Sequence, residues 1–119
     1  MATRIAIVDD EEQVCAALSV LVTRMGHAVE CTANDGQEIL DALEEGKEPD
    51  LILMDYRMPG MSGLEAAREV IRIRPRTKVV IFSADDSVRY EATKEGFTFL
   101  LKPVSSATLT RTISKVQSS

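Results

Sequence analysis

No apolar run in this 119-residue chain approaches the ~18 residues that a membrane span needs. Met1-Ala2-Thr3-Arg4 leads into an apolar segment without the hydrophobic core of a signal peptide. The expected location is therefore cytoplasmic. Positive charge is in deficit, with 14 Lys and Arg against 19 Asp and Glu and a net charge of -5. That balance argues against a nucleic-acid-binding surface, which is built from clustered Lys and Arg. Cysteine is scarce. Cys15 and Cys31 have neither CxxC spacing nor nearby histidines, so no metal or redox site is expected of them, and buried reduced thiols are. The single histidine, His27, follows Gly26 with no carboxylate or nucleophile beside it, which reads as a surface loop position without a catalytic task. Tryptophan is absent, which excludes nothing. Internal repeats and low-complexity linkers are also missing, and four prolines and six glycines are too few for a disordered tail. With 45% hydrophobic and 28% charged residues, residues 1–119 read as one folded domain with one core and no room for a second.

What is present is organised around Leu51-Ile52-Leu53-Met54-Asp55. Four consecutive apolar residues between Pro49-Asp50 and Pro59-Gly60 predict a short strand buried on both faces. Asp55 is delivered at its C-terminal end, and a carboxylate at the edge of an apolar core needs a positive partner. The other segments follow the same grammar. Arg4–Val8 predicts a strand ending at Asp9-Asp10-Glu11-Glu12, and Val14, Leu18, Leu21, Val22 and Met25 recur at helical spacing up to Gly26. A second strand is expected over 27–32, then a turn and cap at Asn34-Asp35-Gly36 and a helix carrying Ile39, Leu40 and Leu43. Ser62 can cap a third helix with Leu64, Ala67, Val70 and Ile71 on one face, ending near Pro75. Lys78–Phe82 predicts the fourth strand. The helix after it has only Val88 and Ala92 for an apolar stripe, so it is expected to be the least firmly packed. A fifth strand over 97–101 ends at Lys102-Pro103, and Ser105 or Ser106 opens a last helix with Leu109, Ile113 and Val116 inside.

Strands alternating with helices predict an α/β fold, a doubly wound parallel sheet of five strands with five helices and right-handed crossovers. In open sheets of this kind the functional crevice lies at the carboxyl ends of the strands. Asp9 and Asp10, Asp55, Ser83 and Lys102 all fall at such ends. Three carboxylates in one pocket call for a hard divalent cation with oxygen ligands, and Mg2+ is the natural candidate. A lysine and a serine hydroxyl facing the same pocket suit phosphoryl oxygens. Asp55 is then placed to attack phosphorus and become an acyl phosphate.

These residues resemble the receiver domain of two-component response regulators across essentially the whole chain. The likeness rests on Asp9-Asp10, Asp55 with Met58-Pro59-Gly60 and Gly63, Ser83-Ala84, and Lys102-Pro103. It implies a flavodoxin-like sheet of order 2-1-3-4-5 and a cis Lys102-Pro103 peptide. It implies that Asp55 is the phosphoacceptor, taking its phosphoryl group from the phosphohistidine of a sensor kinase or histidine phosphotransfer protein. Asp10, Asp55 and the backbone carbonyl of Arg57 would bind Mg2+, with Asp9 helping through water, while Ser83 and Lys102 would contact the phosphoryl group. Ser83 and Phe99 would form the switch: on phosphorylation Ser83 would move toward the phosphoryl oxygen and Phe99 would turn into the space it leaves, shifting the surface of the fourth helix, fifth strand and fifth helix that an effector domain, a downstream protein or a second copy in a homodimer reads. Neither nucleic acid nor membrane is expected as a partner of this domain.

Two positions depart from the usual pattern. Arg57 stands where the family often has a small polar residue, and Phe99 lacks the hydroxyl of a tyrosine. Arg57 and Asp85 each lie two residues past a strand-end site residue, which predicts an ion pair over the phosphoryl group that affects its lifetime. Two other functions share part of this pattern. A Mg2+-dependent phosphohydrolase of the haloacid-dehalogenase type also uses a strand-end Asp, but it wants a second Asp where Arg57 stands. A flavodoxin-like cofactor carrier would need a phosphate loop after the first strand, where four acidic residues would repel a phosphate.

Overall fold

The computed structural model describes residues 3–118. Its five strands are β1 (Arg4–Val8), β2 (Ala28–Ala33), β3 (Leu51–Asp55), β4 (Lys78–Ser83) and β5 (Thr98–Leu101). They form one parallel sheet in the order β2-β1-β3-β4-β5, the expected flavodoxin-like arrangement. The helices are α1 (Glu12–Arg24), α2 (Gly36–Glu44), α3 (Gly63–Ile73), α4 (Arg89–Lys94) and α5 (Ser106–Gln117).

The pleat of each strand sorts its side chains between two apolar layers. Ile5, Ile7, Leu51, Leu53, Val80, Phe82 and Leu100 point to the face covered by α1 and α5, where Cys15, Val22, Leu109 and Ile113 meet them. Ala6, Val8, Ile52, Met54, Val79, Ile81 and Phe99 point to the other face, against Ile39, Leu43, Ala66, Ala67, Val70 and Ala92 of α2, α3 and α4. Every residue of β3 is buried, so the central strand is held from both sides. Each fully buried Leu or Ile there contributes about 1.5–3 kcal/mol relative to exposure, which fixes the position of the carboxylate at the strand's end.

Caps set the helix starts. Ser62 and Glu65 form a reciprocal capping box at α3, Asp35 accepts the Glu38 N–H at α2, and Ser105 accepts the Thr108 N–H at α5. Ahead of α1, Asp9 Oδ1 accepts the N–H of Glu11, the residue that precedes the helix, at 2.9 Å. The end of α2 is held from a distance: Arg74 Nη2 donates to the Leu43 carbonyl at 2.7 Å.

Some sequence expectations shift. His27 precedes β2 and is half-buried, its Nδ1 accepting the Thr3 N–H at 3.1 Å, so it ties strand entry to strand entry as well as bordering a loop. Cys15 is buried as expected, whereas Cys31 is half-buried, and both are free thiols. The segment after β4 begins as a 3₁₀ turn (Asp86–Val88) and becomes α-helical only at Arg89, leaving α4 six residues long with Ala92 as its buried residue. The thin apolar stripe has its physical consequence there. Among the described residues, no helix is long and apolar enough to cross a membrane.

Candidate functional site

The five strand-end residues converge. Asp9 and Asp10 follow β1, Asp55 and Ser83 are the last residues of β3 and β4, and Lys102 follows β5. Asp9, Asp10 and Asp55 each offer a carboxylate oxygen, and these atoms lie within 4.8 Å of one another. Asp9 and Asp55 are buried, while Asp10 is exposed at the mouth. Lys102 Nζ stands 3.1 Å from Asp55 Oδ1 and 3.4 Å from Asp9 Oδ2, with the Phe82 ring centroid at 4.8 Å. The peptide before Pro103 is cis.

The electrostatics are under tension. Burial pushes the Asp55 carboxyl above its ordinary range, and the charges of Asp9 and Asp10 add to that, while the hydrogen bond from Lys102 pulls the other way. Burial alone would lower Lys102, but its hydrogen bond to Asp55 and the charges of Asp55 and Asp9 outweigh it and hold the ammonium above its usual value. Three carboxylates face one ammonium, so two negative charges are left uncompensated in a partly dry site. An all-oxygen donor set with that deficit fits a hard divalent cation such as Mg2+.

The loop beneath Asp55 leaves no slack. Gly63 N–H donates to the Tyr56 carbonyl at 2.7 Å, and a Cβ at position 63 would come within 2.2 Å of the Asp55 carbonyl oxygen. Only a glycine lets α3 start this close to the strand end.

Ser83 is buried, and its Oγ accepts the Asp85 N–H at 3.0 Å. Asp85 in turn accepts from the N–H and the hydroxyl of Ser87 through Oδ1, at 3.0 and 2.6 Å, and from Arg57 Nη2 through Oδ2 at 2.9 Å. The Ser87 hydroxyl, the Ser87 N–H and the Arg57 guanidinium, in that order, hold its carboxyl below the usual range. The ion pair expected between Arg57 and Asp85 is thus formed. The Phe99 ring is already buried in the layer that includes Val88 and Ala92, with the guanidinium carbon of Arg89 4.8 Å from its centroid.

Against the phosphohydrolase alternative stands position 57 itself, which carries a guanidinium committed to Asp85 instead of a second carboxylate.

A model of the response regulator receiver domain matches residues 5–114. The chemotaxis protein CheY of Thermotoga maritima is 33% identical over 119 residues, spanning 98% of each chain. Among solved structures, the response regulator TrrA of Thermotoga maritima, in complex with Mg2+ and BeF, superposes with a TM-score of 0.86 at 28% identity, over 96% of this chain and 98% of that one. A two-component response regulator of the LuxR family from Aurantimonas sp. SI85-9A1 gives 0.90 at 27% identity, over 99% of this chain and 86% of the other. None of these likenesses is to a phosphohydrolase.

Proposed function

The chain belongs to the response regulator receiver domain family, and from that premise we propose that residues 1–119 act as one phosphorylation-activated switch whose phosphoacceptor is Asp55. The observation that carries this reading is the meeting of three carboxylates and a lysine at the carboxyl end of a fully buried strand. A carboxylate oxygen of Asp55 attacks phosphorus of a phosphohistidine on a sensor kinase or histidine phosphotransfer protein. The O–P bond forms as the P–N bond breaks, and its electron pair stays on the departing imidazole. Lys102 and the Ser83 hydroxyl receive the phosphoryl oxygens, the first by charge and the second by a hydrogen bond. Asp10, Asp55 and the backbone carbonyl of Arg57 would hold Mg2+, with Asp9 acting through water, and the bound ion would supply positive charge to the oxygens in transfer.

Position supports the choice of Asp55 over its neighbours: it ends the fully buried β3, whereas Asp9 Oδ1 accepts the Glu11 N–H and Asp10 is exposed. The raised carboxyl pKa of Asp55 marks a carboxylate poorly compensated in the resting site, which gains once cationic charge and a phosphoryl ligand complete its surroundings. Through Ser83 and Phe99 the modified state would favour one arrangement of α4, β5 and α5, read by an effector domain, a downstream protein or a second copy. The catalysis is self-directed: no outside substrate is turned over.

Acetyl phosphate with and without Mg2+ tests the assignment. Stoichiometric, Mg2+-dependent labelling of the protein is expected, abolished in Asp55→Asn. Undiminished labelling of that variant would overturn the choice of residue, and many turnovers on an outside phosphate ester would overturn the switch.

A further inference from the structure

We propose that Arg89 is a clamp on the Phe99 ring, a positioning residue that holds the ring inward before any phosphoryl group arrives. The inference rests on the reading of Ser83 and Phe99 as the switch pair. Phe99 sits on β5 opposite Ile81, and only 6% of it is exposed. The Arg89 side chain is half exposed, with its guanidinium carbon 4.8 Å from the ring centroid, inside the range of a cation–π contact. A cation that is wet on one side and laid on a buried ring on the other is a lid. It matters more here than it would over a tyrosine, because phenylalanine has no hydroxyl with which to anchor itself, leaving apolar packing and this contact to hold the ring.

Arg89 is itself held in place. Its Nε donates to Asp86 Oδ1 at 2.8 Å, and Asp86 opens the 3₁₀ turn whose cap is Asp85. The Asp85 N–H is bound by Ser83 Oγ at 3.0 Å. From the residue that would meet the phosphoryl group to the ring that would report it, the structure is therefore continuous: Ser83 to Asp85, Asp85 to the turn and Asp86, Asp86 to Arg89, Arg89 to Phe99. A serine hydroxyl has one proton to donate and two lone pairs. Ser83 can give its proton to a phosphoryl oxygen and keep the Asp85 N–H, so the link survives phosphorylation and is tightened by it. The clamp then biases the unmodified chain toward the arrangement that phosphorylation favours, and coupling of this kind acts in both directions.

The chain has three phenylalanines, Phe82, Phe97 and Phe99, so labelling with 4-fluorophenylalanine gives three fluorine resonances, and Phe99→Leu identifies the one that matters. In Arg89→Gln, which keeps a polar end but loses the charge and part of the reach, the Phe99 resonance of the unmodified protein should move toward the position of the free amino acid. The beryllofluoride midpoint, measured with Mg2+ present, should rise about two- to fivefold, the worth of one exposed cation–π contact. Arg89→Lys should restore part of both effects, and Asp86→Asn should give a smaller change in the same direction. An unmoved Phe99 resonance in Arg89→Gln, or equal effects of Gln and Lys, would overturn the clamp. If the wild type takes up neither acetyl phosphate nor beryllofluoride, the switch reading falls instead, and the resonance of the unmodified Arg89→Gln protein still decides the clamp.

Discussion

Arg57 Nη2 and Asp85 Oδ2 stand 2.9 Å apart, an ion pair that joins the loop after β3 to the loop after β4 directly beyond Asp55 and Ser83. The acidic partner is preorganised, because Ser87 holds its other oxygen. The basic partner is largely solvent-exposed and also lies near the Tyr56 ring. If the pair overhangs a phosphoryl group on Asp55, it obstructs the in-line approach of water. Phosphorylated protein should then lose its label severalfold faster in Arg57→Ala and in Asp85→Ala, with the double variant decaying no faster than the quicker single one. Rates that match wild type, or that combine additively, would show that the two side chains do not act as one obstruction.

Gly63 makes a sharper prediction about the site's foundation. A methyl group at position 63 would collide with backbone, the Asp55 carbonyl oxygen at 2.2 Å, and backbone cannot swing away as a side chain can. Gly63→Ala should cost about 1–3 kcal/mol, as forced overpacking does, and should slow labelling by acetyl phosphate because the end of β3 is displaced. Urea unfolding and labelling rate measured on the same sample check both. A stable Gly63→Ala protein that labels at the normal rate would mean that the strand end can yield.

The raised pKa of Asp55 gives a signed pH dependence. Burial, with Asp9 and Asp10 adding their charge, makes the folded protein bind this proton more tightly than the unfolded chain does. Stability from this group is therefore complete below the unfolded carboxylate range and is lost as pH rises through the folded pKa. At pH 7.5 in EDTA, Asp55→Asn should melt at a higher temperature than wild type, even though Lys102 keeps only Asp9 as a partner. The difference should shrink as pH falls toward about 3.9, the unperturbed value for Asp. A less stable Asp55→Asn protein at pH 7.5 would mean that the attraction to Lys102 outweighs the burial of the charge.

Local pattern made some of this legible in the sequence and long-range geometry hid the rest. Asp55 was visible because four apolar residues between two proline-containing turns read as a short buried strand, and the open-sheet rule then gathered Asp9, Asp10, Ser83 and Lys102 around it. The Ser62 and Asp35 caps were visible, and the last cap was narrowed to Ser105 or Ser106, because capping is a matter of three or four neighbouring residues. The Arg57–Asp85 pair was expected because each residue lies two positions past a strand-end site residue, on the neighbouring strands β3 and β4. By contrast, Arg74 reaches back 31 residues to the Leu43 carbonyl, and no local signal marks an arginine after a helix as the stopper of another helix. Arg89 over Phe99 was hidden for the same reason: it depends on where α4 lies across β5. The 3₁₀ start of the fourth helical segment was also missed, because Asp85 as its cap looks the same in sequence whichever helix follows.

The short α4 has little apolar material to hold it, since Ala92 alone is buried within it and Val88 precedes it. What ties its far end down is polar: Arg68 of α3 meets Glu95 through both of its forks, Nε to Oε1 and Nη2 to Oε2, each at 2.7 Å. The hydrogen bond from Arg68 holds the Glu95 carboxyl below its usual range, so the pair stays ionised throughout the neutral region. A bidentate pair fixes orientation as well as distance, and this one fixes the C-terminal end of α4 against a helix anchored by a capping box. Removing it should loosen α4 without unfolding the domain, because the two apolar layers are built from other residues. In Arg68→Ala the amides from Tyr90 to Gly96 should exchange hydrogen faster than in wild type, while those of β3 and α5 keep their protection. High salt should raise exchange over the same seven residues in wild type and change it little in the variant, since screening acts on a charge pair that the variant lacks. If α4 protection is the same in both proteins, packing of Val88 and Ala92 suffices to hold the helix, and the mobility expected of this surface must come from elsewhere than the weakness of its tether.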